Sequence, residues 1–124
     1  MSELGLEISV GETKQLLDSG ADFYFMDCRE QNEWDFVKIE GAELLPMSEI
    51  QTRVDELESQ KDRHIVIHCH HGGRSLQVAQ WLRQQGFSQA QSMAGGIDVW
   101  SQEIDSTNHA TNYLQVAWNL PVNW

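Results

Sequence analysis

The chain has 124 residues, 40% of them hydrophobic and 22% charged, the balance of one soluble domain with a sizeable core. Nineteen acidic against 8 basic side chains give a formal charge of −11, a field that disfavours nucleic acid and anionic membrane surfaces as partners. A small anionic substrate remains compatible with that charge, because backbone N–H groups act over a few ångströms, inside the screening length.

No window approaches the roughly 18 consecutive apolar residues of a membrane helix, and the opening MSELGLEISV lacks the basic start and apolar run of a leader. The expected setting is cytoplasmic, with no membrane. Two cysteines, Cys28 and Cys69, are too few for a secreted disulfide framework.

In chain order, LEIS offers a brief first strand, and Ser9 with Glu12 has the spacing of a capping box for a short helix ending at Gly20. FYFMD (23 to 27) is a compact aromatic and apolar run suited to a buried parallel strand. The polar CREQNEWDFVKIEG then predicts a loop with a helical turn. Ala42 to Leu45 makes another short strand stopped by Pro46, and Ser48 with Gln51 offers a capping pair before Ile50, Val54 and Leu57 at helical spacing.

HIVIH (64 to 68) is β-branched and predicts a strand, followed by a helix carrying Leu76, Val78, Ala79, Trp81 and Leu82 up to Gly86. Ala90 to Met93 gives a last strand, and Gly95-Gly96 breaks the chain before a short helix around Ile97 to Ser101. This alternation argues for an α/β fold with a mostly parallel sheet covered on both faces, whose sites lie beyond the carboxyl ends of the strands. Cys28 and Cys69 both fall at such ends. The domain is expected over residues 1–105, with a C-terminal extension over 106–124 bearing Trp118 and Trp124.

Between strand and helix stands Cys69-His70-His71-Gly72-Gly73-Arg74-Ser75. A thiol on such a turn faces converging backbone N–H groups and the positive end of a helix dipole, an arrangement that holds an anion. Its ionisation is expected well below the ordinary value of about 8.5, making Cys69 a nucleophile at neutral pH. The glycines let the loop turn its amides inward, and Arg74 can grip an oxyanion with two donors.

Four stretches taken together resemble the rhodanese-like sulfurtransferases over roughly residues 6 to 105: the ISVGE opening with its LL and Gly, Asp27-Cys28-Arg29 with Glu33, the loop CHHGGRS, and Met93-Ala94-Gly95-Gly96-Ile97 with Trp100. The resemblance implies a sheet of about five strands flanked by helices. It also implies that Cys69 takes sulfane sulfur as a persulfide from a small anionic donor such as thiosulfate and passes it to a thiol or protein acceptor. In that reading His70, His71, Gly72, Gly73, Arg74 and Ser75 bind the donor, Arg74 at its sulfonate-like end. No cofactor or metal is implied. Where many members read Gly-His-Ile-x-Gly-Ala, this chain reads Val37-Lys38-Ile39-Glu40-Gly41-Ala42, without the glycine and histidine.

Other readings bear on the same residues. Certain dual-specificity phosphatases share the fold, but their loops hold one residue more between Cys and Arg than the four found here, and a smaller ring suits a sulfur atom better than a phosphate. A non-catalytic interaction module would dispense with the cysteine, which is present; Trp118 and Trp124 could still dock a partner or make a homo-oligomer through the tail. His68 and Cys69 point to opposite faces of a strand and do not converge on a zinc ion. Cys28 is expected to be a buried spectator, with a resolving role towards an oxidised Cys69 as the alternative. Asp27, Arg29 and Glu33 are expected to form one polar brace, and Trp34, Trp81 and Trp100 to pack.

Overall fold

The computed structural model describes residues 4–104. The extension over 106–124, with Trp118, Trp124 and any oligomer contact through them, lies outside the described residues.

Five strands form one sheet: β1 (Glu7–Ile8), β2 (Phe23–Asp27), β3 (Glu43–Leu44), β4 (His64–His68) and β5 (Ala90–Met93). Their order across the sheet is β1-β5-β4-β2-β3, and every neighbouring pair is parallel. Five helices connect them: α1 (Val10–Asp18), α2 (Gln31–Phe36), α3 (Ile50–Arg53), α4 (Gly73–Gln84) and α5 (Gly96–Glu103). The expected α/β class and parallel sheet are therefore present. No helix among the described residues is long and apolar enough to cross a membrane.

Local signals account for most element ends. Ser9 Oγ accepts the Glu12 N–H at 3.0 Å while Glu12 returns its carboxylate to the Ser9 N–H, the capping box that opens α1. The capping pair expected at Ser48 and Gln51 does not form. Glu49 stands at the N-cap position of α3 with no side-chain capping bond, and the Ser48 hydroxyl donates instead to Glu30 Oε1 at 2.7 Å, tying the loop after β3 to the start of α2. The helix read through Ile50, Val54 and Leu57 is also divided, into α3 and a 3-10 helix over Val54–Gln60. In a 3-10 turn residues three apart share a face, so Val54 and Leu57 still reach the core.

Alternation along β4 builds two cores. Ile65 and Ile67 face a cluster with Leu57, Val78, Ala79, Leu82 and Phe87, under α4 and the 3-10 helix. Val66 faces the other side, with Phe25, Val10, Ile97 and Trp100, under α1 and α5. Each such side chain removed from water contributes about 1.5–3 kcal/mol, which is why β2 and β4 are continuously apolar rather than alternating. Of the tryptophans, Trp100 is buried at 4% exposure, whereas Trp34 and Trp81 lie at the rim. Trp34 carries Lys38, the residue standing where the resemblance leads one to look for histidine, with Nζ 4.8 Å from its ring centroid.

Candidate active site

The carboxyl ends of β4, β2 and β5 meet the start of α4, and Cys69 sits at that junction with 1% of its surface exposed. Two amides aim at its sulfur: the Gly72 N–H at 3.1 Å and the Ser75 N–H at 3.3 Å. Ser75 Oγ lies 3.4 Å from Sγ as well. Of the amides expected to cradle the sulfur over residues 70 to 75, those of Gly72 and Ser75 are the ones in bonding geometry.

Gly72 makes that geometry reachable. Its φ of +107° is the left-handed region that L side chains avoid, and a Cβ there would come within 3.1 Å of the Gly95 nitrogen. A second element holds the loop from outside. The first amides of α5 donate to the loop's carbonyls, Ile97 N–H to Cys69 O at 2.9 Å and Asp98 N–H to His70 O at 3.1 Å. These two bonds fix the loop's backbone between Cys69 and Gly72. Gly96, at φ +60°, packs so closely on Cys69 O and His70 O that a Cβ would collide with both.

The thiol is shifted down to about 4, and the largest cause is a hydrogen bond from Cys28. The Ser75 hydroxyl and the Ser75 and Gly72 amides act in the same direction, and together these donors outweigh burial, which acts the opposite way. Cys28 is therefore more than the spectator expected of it. It is fully buried, and its own thiol is pushed well above the ordinary range, first by its bond to Cys69 and then by burial. Ser92, on β5, completes the polar floor: its hydroxyl pairs with Ser75 Oγ at 2.7 Å.

Arg74 is bidentate, but its partner is Glu33, with Nη1 and Nη2 at 2.8 and 2.9 Å from the two carboxylate oxygens. Glu33 is 5% exposed and also accepts the Glu30 N–H, so α2 brings it to the loop already oriented. This splits the brace expected of Asp27, Arg29 and Glu33. Arg29 instead clasps Asp27 at 2.8 to 3.1 Å and the Val37 carbonyl, fully buried on the opposite face of the sheet beside His68. Distance in sequence hid the Arg74 clasp, since 41 residues separate its partners.

The His70 and His71 rings lie against each other, centroids 4.0 Å apart and tilted by 36°, but differ in setting. His70 is 1% exposed, and burial, with His71 second, lowers its pKa to about 4, so it is neutral at pH 7. The His71 side chain is 50% exposed with Nδ1 3.6 Å from Asp98 Oδ2. Gly73 begins α4 and leaves open space where a side chain would stand. Ser92 and the α5 amides were not anticipated; a serine inside the fully buried strand AQSM was the available signal for the first.

The family described as Rhodanese-like domain matches residues 9–103. Among curated proteins, the thiosulfate sulfurtransferase GlpE of Pseudoalteromonas translucida is 36% identical over 93 residues, covering 75% of this chain and 86% of the relative. The probable adenylyltransferase/sulfurtransferase MoeZ of Mycobacterium tuberculosis is 35% identical over 100 residues, 81% of this chain but only 26% of its own length. Among solved structures, the human single domain sulfurtransferase TSTD1 superposes with a TM-score of 0.71 at 28% identity, covering 81% of this chain and 98% of that one.

Proposed function

The chain belongs to the rhodanese-like domain family, and from that premise we propose that it is a sulfurtransferase whose Cys69 carries sulfane sulfur from a small anionic donor, thiosulfate, to a thiol acceptor. The observation that carries the reading is the pair of backbone amides, of Gly72 and Ser75, that donate to the Cys69 sulfur. A thiolate attacks the outer sulfur of thiosulfate, sulfite departs with the electron pair of the old S–S bond, and the product is Cys69–S–S⁻. Charge is conserved, since the monoanionic thiolate becomes a monoanionic persulfide and the dianionic donor leaves as dianionic sulfite. An acceptor thiolate then takes the outer sulfur and restores Cys69.

Residues of the loop divide the work. Gly72 and Ser75 hold the negative sulfur, and Gly73 leaves room for the donor beside the helix start. Arg74 presents a cation oriented by Glu33, to which the sulfonate end of thiosulfate adds as a further ligand. His71, half exposed, lines the mouth, and His70 supports it from beneath as a neutral ring. A protein acceptor is an equal candidate to a small thiol, and the chain's charge of −11 favours a basic one.

The test is intact mass after incubation with thiosulfate, followed by sulfite and thiocyanate release with cyanide as acceptor. Wild type gains the mass of one sulfur and turns over; Cys69→Ser does neither. An adduct that survives in Cys69→Ser overturns the assignment. Arg74→Lys, which cannot fork between Glu33 and a donor, is expected to raise KM for thiosulfate about 3–10-fold with a smaller change in kcat.

A further inference from the structure

Cys28 lies in the same core cluster as the reactive cysteine and is shut from solvent. β2 and β4 run in register from Phe23 opposite His64 to Asp27 opposite His68, and Cys28 and Cys69 are the residues that follow on the two chains. The Cys28 N–H donates to His68 O at 3.0 Å, closing the last pair of the ladder and keeping the two chains side by side where the cysteines begin. In-register residues of parallel strands point the same way, and both cysteines join Met26 and Ile67 in one core cluster. Paired parallel strands run about 4.8 Å apart, a spacing inside the roughly 4.4–6.8 Å between Cα atoms that a disulfide spans. Cys28 is 0% exposed, so no electrophile reaches it except through Cys69.

We infer that Cys28 is an internal sulfur nucleophile that discharges the Cys69 persulfide when no external acceptor takes the sulfur, so that the protein releases hydrosulfide. This further activity rests on the persulfide reading above. The Cys28 sulfur attacks Cys69 Sγ and forms the Cys28–Cys69 disulfide. The bond between Sγ and the outer sulfur breaks, and its electron pair leaves with the outer sulfur. The proton of the Cys28 thiol ends on that sulfur, giving HS⁻. Cys28 is oxidised by the step, the outer sulfur is reduced, and the single negative charge passes from persulfide to hydrosulfide.

The setting explains why the discharge trails transfer to an acceptor. While Cys69 is a thiolate, it holds the Cys28 proton firmly, and the pair is inert. Loading sulfur moves the charge from Sγ to the outer atom and removes that restraint, but burial of Cys28 remains and keeps its thiolate scarce. The attack falls on Sγ rather than on the outer atom because Cys28 stands beside Cys69 in the same core cluster, behind the inner sulfur. The disulfide then blocks Cys69 until an external dithiol reduces it.

The experiment follows the full-length protein under anaerobic conditions after a brief thiosulfate load and removal of excess donor. Intact mass and released hydrosulfide are read over time, with an unloaded control. Wild type is expected to lose the added sulfur, fall to the mass of the reduced protein less two hydrogens, and release one hydrosulfide per chain; dithiothreitol restores the reduced mass. Cys28→Ala, or Cys28→Val should the smaller residue unfold the core, keeps the added sulfur at least roughly tenfold longer and never loses the two hydrogens. Equal persulfide lifetimes in wild type and folded variants overturn the discharge while leaving the persulfide intact. Absence of added sulfur in every form overturns both readings.

Discussion

Cys28 and Cys69 end adjacent parallel strands, face one core and are equally shut from solvent, at 0% and 1% exposure, yet the thiol at 28 is pushed up while that at 69 falls to about 4. Burial is common to both and cannot separate them. The bond between the two thiols acts most strongly on both, raising one and lowering the other, and its direction is set by where the following chain sends its amides. After β2, the Arg29 N–H goes to Asp27 Oδ1 and the Glu30 N–H to Glu33 Oε1, each at 2.9 Å, so carboxylates occupy the donors. After β4, left-handed Gly72 and the start of α4 turn two amides onto the sulfur, while α5 holds the loop's carbonyls away. One strand end thus makes a proton donor and its neighbour makes the anion that receives the bond.

The bluntest way to break the comparison is to remove the anion. Cys69→Ser is expected to lower kcat/KM for sulfur transfer roughly a thousand-fold or more, with Cys28 unable to substitute from its buried position. Next is to disturb the loop's outer support. Gly96→Ala drives a Cβ into Cys69 O and His70 O, and should cost about 2–4 kcal/mol in denaturant unfolding while raising the Cys69 pKa.

Stability against pH sharpens the contrast. A pKa of about 4 in the folded chain, against about 8.5 unfolded, means that the unfolded state alone binds the Cys69 proton between those values. The Cys69 contribution is therefore fully present above the unfolded value and lost as pH falls through the folded one. From about pH 5 to about pH 8, wild type should gain steadily on Cys69→Ser as pH rises, measured as unfolding free energy. Cys28 shifts the other way, so its contribution is present at low pH and lost only above the ordinary thiol range. The finest test is Ser75→Ala, which removes the hydroxyl from Sγ but keeps the amide. Thiolate absorbance titrated by pH should show the Cys69 pKa raised by about one unit, a tenfold fall in the ratio of thiolate to thiol at a given pH.

Much of this was legible in local patterns. FYFMD, HIVIH and Ala90 to Met93 each coincide with a strand, and the Ser9–Glu12 box opens α1 where its spacing placed it, because these signals act within a turn or a pleat. The same spacing failed at Ser48, whose hydroxyl found Glu30 of α2, a competitor 18 residues away. Nor does any local pattern connect Glu33 to Arg74, or Ser92 to Ser75; these pairs exist because α2 and β5 are brought alongside the loop.

Composition and periodicity by themselves determined an α/β domain with a cysteine loop at a strand end, since apolar runs, caps and glycines bias the backbone over a few residues. Only the tertiary structure decided what surrounds that sulfur. The strand order β1-β5-β4-β2-β3 sets Cys28 beside Cys69 and the start of α5 against the loop's carbonyls, and no periodicity carries that order because it is fixed by the packing of both sheet faces at once.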